Sequence, residues 1–185
     1  CQKTLQCRDE YHHELIKILN QKGLNITYED AKEYAPYNIV FKMHLFLAIV
    51  HKYPEYNDIN KYRELFMSET SLDVDSKMGY IDIKEGIKAI REDGGIAIIA
   101  HPCEYKNYDE IEKYVGYGLQ GIEISHPSMK DEDYPLTQKD AKKFNLFKSG
   151  GSDFHDSRLT QMGDYGLNKQ QFEELVNHMR KVKGL

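Results

Sequence analysis

A continuous apolar run, Ile96-Ala97-Ile98-Ile99-Ala100, constrains the fold of this chain more than any other segment. The glycine pair Gly94-Gly95 precedes the run, and His101-Pro102 follows it. A short apolar run between turn signals is typical of a strand that is buried on both faces, as in a parallel sheet. The run therefore predicts a buried strand of an α/β domain.

Further strands and helices alternate around this run, with short connections between them. The predicted strands are Gly121–Ser125 and Leu146–Ser149, and the predicted helices are Asp82–Glu92, Tyr108–Tyr117, Thr137–Phe144 and a last helix that Asn168 caps. Such alternation favours an α/β fold with a parallel sheet. We expect this fold over residues 79–185.

The first part of the chain predicts helices and no strand. They are Arg8–Lys22, a short helix opened by a capping box at Thr27–Asp30, Ile39–Val50 and Asn60–Met67. The sequence thus predicts an all-helical region over residues 1–78. The adjacent His12 and His13 point to different faces of a helix, and we expect both to be surface histidines.

Side chains able to bind metals follow each predicted strand. His101 follows the first strand, His126 the second, and Asp153 and His155 the third. Ligands gather at the carboxyl ends of strands in α/β sheets, so we expect these four side chains to converge. Mixed His and Asp ligands suit Zn, Mn or Fe. Each pattern alone also fits a structural histidine or a solvated turn.

Local backbone patterns suggest how these residues are presented. Pro102 biases His101 toward extended geometry. Asp153 and His155 stand at i and i+2, which in extended backbone places both side chains on one face. Gly150-Gly151 before them permits a tight path.

Three segments, in this order, resemble motifs of the PHP (polymerase and histidinol phosphatase) superfamily. They are Gly94 to Pro102, Gly121 to Pro127, and Gly150 to His155. Within the superfamily the chain is most similar to the TrpH-like phosphoesterases, which also carry a helical insert ahead of these motifs. The resemblance implies the C-terminal portion of a distorted (β/α)7 barrel with an all-helical insert.

The resemblance also implies roles for individual residues. His101, Asp153 and His155 match family metal ligands, with Zn, Mn, Fe or Mg as the divalent cofactor. Lys42-Met43-His44 stands where relatives have an Arg-Pro-His motif that contacts substrate phosphate. We therefore expect Lys42, His44 and His126 on the substrate side. Lys42 attracts a phosphate as a point charge, without the bidentate fork of arginine.

The family's N-terminal His-x-His strand has no counterpart in this sequence. The expected chain is therefore a fragment that lacks an N-terminal segment, with weak metal binding and little or no turnover. We expect a partner or a second copy of the chain (a homo-oligomer) to cover the apolar edges that a half-barrel exposes. The implied reaction is hydrolysis of a phosphomonoester or nucleotide-type substrate by metal-activated water. Two alternatives stay open, namely a metal-dependent amidohydrolase-like C–N hydrolase and a non-catalytic binding module derived from the barrel.

Composition limits the partners. The net charge of -5 argues against extended nucleic acid but permits a small phosphorylated substrate such as a nucleotide. No apolar run reaches the roughly 18 residues of a membrane span, so we expect no membrane partner. Three cysteines without CxxC spacing suggest a reducing compartment, and we expect a cytoplasmic protein.

Overall fold

The computed structural model describes residues 2–68 and 79–184. Its internal contacts divide the chain into two compact units, a helical unit over Cys1–Ile81 and an α/β unit over Asp82–Leu185. The boundary predicted from the sequence, at residue 78, falls on a segment outside the described residues and stays a prediction.

The helical unit consists of helices joined by short loops, as the sequence predicts. They are α1 (Gln2–Gln21), α2 (Tyr28–Lys32), α3 (Lys42–Lys52), a 3₁₀ turn (Pro54–Tyr56) and α4 (Ile59–Phe66). The capping box at Thr27 is confirmed. The Thr27 hydroxyl accepts from the Asp30 N–H at 3.2 Å, and the Asp30 carboxylate accepts from the Thr27 N–H at 2.7 Å. Two otherwise unpaired donors at the start of α2 are satisfied in this way.

The core of the helical unit is aliphatic and aromatic. Its most deeply buried side chains are Leu15, Leu19, Ile26, Val40, Leu45, Phe46, Ile49 and Phe66. The Phe46 ring packs edge-on against Tyr62, with ring centroids 5.2 Å apart. Asn20 fixes the chain that leaves α1, since its amide both donates to the Ile26 carbonyl at 2.9 Å and accepts from the Ile26 N–H at 3.0 Å.

The α/β unit alternates helices with three short strands. In chain order these are α5 (Ile83–Glu92), β1 (Ile98–Ile99), α6 (Pro102–Tyr105), a 3₁₀ turn (Tyr108–Glu110), α7 (Ile111–Tyr117), β2 (Gly121–Ser125), α8 (Asp133–Lys143), β3 (Phe147–Gly150) and α9 (Lys169–Lys183). Asn168 caps α9 as predicted, because its side chain accepts from the Gln171 N–H at 2.9 Å.

The strands form a parallel sheet in the order β1-β2-β3, so the α/β class is confirmed. Ile122 and Ile124 of β2 lie in the core of this unit. Gly121 permits the close approach of the outer strands, because a Cβ there would lie 2.7 Å from Ile98 Cγ1 and 3.1 Å from Phe147 Cβ. Whether the sheet belongs to a distorted barrel stays a prediction.

Two details differ from the sequence prediction. The first strand is shorter than its apolar run and keeps only Ile98–Ile99 in the sheet. The helix predicted over Asp82–Glu92 is also only partly buried along its row of isoleucines, since Ile87 is in the core whereas Ile83 and Ile90 are exposed. Across the described ranges, no helix combines the length and the apolar character needed to cross a bilayer.

Candidate functional site

Polar side chains from all three strand ends meet at the carboxyl edge of the sheet. The rings of His101 and His126 have centroids 5.1 Å apart. His126 Nε2 lies 3.4 Å from Asp153 Oδ2, and His155 Nδ1 lies 3.8 Å from the same oxygen. The convergence predicted for these four residues is therefore present as a chain of neighbouring pairs.

The backbone at two of these residues is left-handed. His101 has φ of 29° and Asp153 has φ of 43°. Residues other than glycine rarely adopt this region, and strained backbone tends to gather at functional sites. The extended geometry predicted for His101 and for the Asp153–His155 segment is therefore wrong. Pro102 does not hold His101 extended because Pro102 itself begins α6, where its fixed φ suits the first helical turn.

Glu123 holds the backbone of His101 in this conformation. Its Oε2 accepts a hydrogen bond from the His101 N–H at 2.7 Å, from the neighbouring strand. Glu123 lies on β2 between the buried Ile122 and Ile124 and is itself half-buried. A charge-assisted hydrogen bond in such a place is stronger than a neutral one, so Glu123 offsets part of the strain at His101.

The hydrogen bonds of His126 fix its tautomer. The Ser128 N–H donates to His126 Nδ1 at 3.1 Å, so in the neutral ring the proton is on Nε2. His126 is only 2% exposed, and this Nε2 faces Asp153. A protonated Nε2 is a hydrogen-bond donor and offers no lone pair to a metal ion.

His155 has the opposite tautomer. Its Nδ1 lies 2.7 Å from the Asp153 carbonyl oxygen, which can only accept, so Nδ1 carries the proton. The lone pair of the neutral ring is then on Nε2. A ring N–H that donates to a backbone carbonyl is the usual arrangement behind a metal-binding histidine.

A buried carboxylate, Asp133, connects the loops that follow β1 and β2. Its Oδ1 accepts from Lys106 Nζ and from the Tyr108 hydroxyl, both at 2.7 Å, and its Oδ2 accepts from the Lys130 N–H at 3.0 Å. Chiefly the hydrogen bond from Lys106 lowers the pKa of Asp133 to about 2. The loops that carry His101 and His126 are thus tied to one ionised group.

Two serines organise the chain beyond β3. The Ser152 hydroxyl accepts from the Gly163 N–H at 3.0 Å and from the Tyr165 N–H at 3.3 Å. The Ser125 hydroxyl, at the end of β2, accepts from the Gly166 N–H at 3.1 Å. Gly150 allows this closure, because a Cβ there would lie 2.8 Å from Ser125 Cβ. The segment after His155 is therefore folded back onto the ends of β2 and β3.

The donors fit a divalent cation in their chemistry. Among the residues that the structure describes, His101 Nδ1 is buried without a hydrogen-bond partner, and Glu104 Oε2 lies 3.7 Å from it. Asp153 and His155 are about half exposed and can take further ligands. Within residues 2–68 and 79–184, however, no three His, Cys, Asp or Glu side chains stand together as a group that could hold a metal ion.

Lys42 and His44, predicted on the substrate side, lie in the helical unit. Lys42 is the first residue of α3, and His44 Nδ1 accepts from the Phe41 N–H at 3.1 Å. Burial lowers the pKa of His44. The structure thus gives both residues defined positions within this unit, and their substrate role stays a prediction.

The surface position predicted for His12 is wrong, whereas His13 is exposed as expected. His12 is 3% exposed and packs within the helical unit. Burial, followed by the positive charge of Arg8, lowers the pKa of His12 to about 4. The two histidines do occupy different faces of α1, and one of those faces is the core.

Sequence reasoning missed the groups that position the site, above all Glu123 and Asp133. Glu123 has a visible signal, since it is the one charged residue of its strand and stands between two isoleucines. Asp133 has no such signal, because it stands in the acidic stretch Asp131-Glu132-Asp133 and looks like its exposed neighbours. Its partners come from loops that only the fold brings together.

The chain is similar in sequence to enzymes that cleave phosphodiester bonds. It is 31% identical over 157 residues to a phosphoribosyl 1,2-cyclic phosphate 1,2-diphosphodiesterase of Eggerthella lenta, covering 84% of this chain and 59% of the relative. It is 29% identical over 159 residues to a 5'-3' exoribonuclease of Haemophilus influenzae, covering 83% of this chain and 56% of the relative. The chain therefore spans less than two thirds of these curated relatives. No family model matches it.

Two solved structures share the fold. One is of a protein assigned as a metal-dependent phosphoesterase from Bifidobacterium adolescentis, with a TM-score of 0.72 and 21% identity over 94% of this chain and 63% of that one. The other is of an amidohydrolase from Chromobacterium violaceum with bound sulfate and no metal, with a TM-score of 0.67 and 20% identity over 95% of this chain and 64% of that one. At these identities the likeness shows the fold alone.

Together the comparisons confirm the resemblance to phosphoesterases that the three sequence motifs carry. The relatives are hydrolases of phosphate esters, and the shared fold extends over nearly the whole chain.

Proposed function

We propose that this chain is part of a metal-dependent phosphoesterase of the PHP superfamily, in the TrpH-like subgroup, that hydrolyses a phosphomonoester or nucleotide-type substrate. The observation that carries the proposal is the convergence of His101, His126, Asp153 and His155 at the carboxyl edge of one parallel sheet. The sequence similarity to two enzymes that cleave phosphodiesters supports the choice of reaction.

His101, Asp153 and His155 are the proposed metal ligands. His101 contributes its buried Nδ1, which has no hydrogen-bond partner among the described residues. His155 contributes Nε2, which carries the lone pair of the neutral ring because Nδ1 donates its proton to the Asp153 carbonyl. A bound Zn, Mn, Fe or Mg ion would supply Lewis acidity, which acidifies a bound water and neutralises phosphoryl charge. The described residues hold no complete group of ligands, so we propose that a longer protein or a second copy supplies further donors.

His126 contributes a hydrogen bond. With Nδ1 occupied by the Ser128 N–H, its Nε2 lies 3.4 Å from Asp153 Oδ2 and makes no hydrogen bond among the described residues. We propose that this N–H contacts a phosphoryl oxygen. The dry surroundings of a side chain that is 2% exposed strengthen such a bond.

Lys42 and His44 are the proposed phosphate contacts of the helical unit. His44 Nδ1 accepts from the Phe41 N–H, so the neutral ring presents Nε2–H as a donor. Lys42 adds a positive charge at the start of the same helix. Both groups favour a dianionic phosphate over a neutral substrate.

Metal binding and turnover test this proposal separately. Titration calorimetry with Mn²⁺ and Zn²⁺ should show weak binding that Asp153→Asn reduces at least tenfold, in line with the loss of a ligand. Asp131→Asn, at an exposed acidic position, is the matched control and should bind as the parent chain does.

Activity is measured with p-nitrophenyl phosphate and its bis-ester, against a p-nitroanilide, each with added Mn²⁺ or Zn²⁺. We expect slow phosphate-ester cleavage that depends on Asp153, and no amide cleavage. Vigorous phosphatase activity from this chain alone would contradict the proposed need for further donors. No metal binding at all, even with added Mn²⁺ or Zn²⁺, would contradict the proposed function and favour a binding module.

A second candidate is a metal-dependent amidohydrolase-like C–N hydrolase. The fold shared with the Chromobacterium violaceum amidohydrolase favours it, although only at the level of architecture. Cleavage of the p-nitroanilide in preference to the phosphate esters would support this candidate over the first.

A further inference from the structure

A single side-chain hydrogen bond joins the segments that carry His101 and His126. Glu104 lies in α6, three residues after His101, and Ser128 lies two residues after His126. The Ser128 hydroxyl donates to Glu104 Oε1 at 2.7 Å. We call this contact the Glu104–Ser128 bridge. Because the two segments follow different strands, the bridge connects the chain beyond β1 with the chain beyond β2.

At one end of the bridge, Ser128 is coupled directly to the His126 ring. The Ser128 N–H donates to His126 Nδ1 at 3.1 Å, so one residue holds the ring through its backbone and the bridge through its hydroxyl. The Met129 N–H donates to the His126 carbonyl at 3.0 Å and closes a tight turn around Ser128. A displacement of Ser128 therefore also displaces the hydrogen bond that orients the His126 ring.

At the other end, Glu104 is fixed relative to the backbone of His101. The Glu104 N–H donates to the His101 carbonyl at 3.0 Å, and Glu123 holds the His101 N–H from β2. Glu104 Oε2 lies 3.7 Å from His101 Nδ1, which is longer than a hydrogen bond. Glu104 thus moves with the His101 backbone, while its Oε1 holds Ser128.

The bridge lies closer to the two histidines than the Asp133 network does. Asp133 accepts from Lys106 Nζ and from the Lys130 N–H, which lie five residues beyond His101 and four beyond His126. The bridge acts three and two residues beyond the same histidines. Asp133 therefore holds the two loops together, whereas the bridge acts where their histidine rings lie 5.1 Å apart.

We propose that Glu104 is a positioning residue that, through Ser128, sets the placement of His126 relative to His101. Glu104 contacts neither the metal nor the phosphate in this arrangement. The placement of His126 follows from the hydrogen bonds alone. Its consequence, that a phosphate bound between a metal on His101 and the His126 N–H depends on Glu104, rests on the proposed function.

Charge and position predict opposite effects of Glu104 on phosphate binding. A carboxylate near an anion repels it, so the charge of Glu104 by itself weakens phosphate binding. The bridge strengthens phosphate binding, because it keeps the His126 donor in place. A variant that removes the bridge can therefore be distinguished from one that removes only the charge.

The first experiment records the ring nitrogen signals of His126 by NMR in the full chain without metal. Alkaline buffer keeps the imidazole neutral, so the signals report on hydrogen bonding. Glu104→Ala should shift the His126 signals in the parent chain and should have no further effect in a Ser128→Ala background, because both changes break the same bond. Asp109→Ala, at an exposed carboxylate five residues after Glu104, is the matched control and should leave these signals unchanged.

Two outcomes of this experiment would overturn the proposal. In one, Glu104→Ala leaves the His126 signals as they are in the parent chain. In the other, Glu104→Ala shifts them as much in the Ser128→Ala background as in the parent. Glu104 and Ser128 are both exposed, so their variants should fold, and either single variant tests the bridge from its own end.

The second experiment measures binding of inorganic phosphate to the Mn²⁺-loaded chain by calorimetry. Glu104→Gln keeps an acceptor oxygen for Ser128 and loses the charge, so it should bind phosphate at least as tightly as the parent. Glu104→Ala loses both and should bind about fivefold more weakly than Glu104→Gln, in line with the loss of one hydrogen bond. Equal phosphate affinity in the two variants would overturn the proposal.

Mn²⁺ affinity separates this proposal from a direct role at the metal and from the proposed function. Both Glu104 variants lose the same charge, so we expect equal Mn²⁺ affinity in the two. A much weaker affinity in Glu104→Ala alone would show that Glu104 acts at the metal, and it would overturn the positioning role. If the parent chain binds no metal, the proposed function fails, whereas the metal-free signals of His126 still decide whether Glu104 positions that ring.

Discussion

The helical unit and the α/β unit handle their histidines in opposite ways. In the helical unit His12 is buried in a packed core, and burial lowers its pKa to about 4. In the α/β unit the rings of His126 and His155 have tautomers that neighbouring backbone groups fix. The first unit keeps its buried histidine neutral through packing, whereas the second orients the histidines of its polar edge through hydrogen bonds.

The largest expected effect concerns the buried hydrogen-bond network of the α/β unit. Asp133→Ala removes the acceptor for Lys106, Tyr108 and the Lys130 N–H, and it leaves these donors without their buried partner. We expect a loss of about 4 kcal/mol in the free energy of unfolding, measured by urea denaturation. Asp131→Ala, two residues earlier and exposed, should change stability by less than about 0.5 kcal/mol. Similar losses in the two variants would show that the buried network is not what stabilises this edge.

Acidification tests whether the buried His12 of the helical unit is neutral. The folded-state pKa of His12 is about 4, below the ordinary 6.5, so between these values the unfolded chain binds a proton that the folded chain does not. Stability is therefore fully present above pH 6.5 and falls as the pH drops toward 4, by about 3 kcal/mol in all. Urea unfolding at several pH values should show this slope, and His12→Met should lose most of it. The rest comes from His44, whose pKa burial also lowers.

His13→Gln is the control for that experiment and should retain the slope, because His13 is exposed. If the parent chain and His12→Met show the same dependence on pH between 6.5 and 5, the buried, neutral state of His12 is incorrect.

Two adjacent glycines, Gly150 and Gly151, allow the effect of close packing at the carboxyl edge to be distinguished from that of backbone flexibility. A methyl group at Gly150 would lie 2.8 Å from Ser125 Cβ and 3.2 Å from the Gly166 carbonyl carbon. A methyl group at Gly151 would meet no other heavy atom of the described residues within 4 Å. Gly150→Ala should therefore cost about 2 kcal/mol, and Gly151→Ala should be close to neutral. Thermal unfolding by calorimetry compares the two variants directly, and equal costs would point to backbone freedom as the cause.

The smallest expected effect on stability concerns the hydrogen bond between the His101 N–H and Glu123. Glu123→Ala removes the carboxylate that accepts the His101 N–H, at an expected cost of about 1 kcal/mol in unfolding free energy. Affinity for Mn²⁺ should fall about tenfold through misplacement of the His101 ring. Glu123→Gln, which keeps an acceptor oxygen, should restore most of both quantities. Unchanged Mn²⁺ affinity in Glu123→Ala would separate Glu123 from the metal centre.

Much of the architecture could be predicted from the sequence, because it depends on local signals. The capping residues Thr27 and Asn168 and the apolar strand Gly121–Ser125 were all identifiable in this way. The positions of His101, His126 and Asp153 followed from the rule that polar residues after parallel strands share one edge.

What the sequence could not provide depends on contacts between distant segments. The left-handed backbone of His101 needs the hydrogen bond to Glu123, 22 residues away. The hydrogen-bond network of Asp133 needs Lys106, 27 residues away. His12 looked exposed because histidine pairs are usually polar surface residues, and only tertiary packing decides which of two adjacent helical side chains faces the core.

The left-handed backbone of His101 and Asp153 has a consequence for how variants of this chain would be selected. Glycine adopts such φ values without the penalty that a side chain carries, which is about 1 kcal/mol. A screen that rewards only foldedness should therefore enrich glycine at both positions, and a screen that rewards metal binding should reject it. The difference in glycine frequency between the two screens at these positions would measure the conflict between stability and metal binding in this sequence.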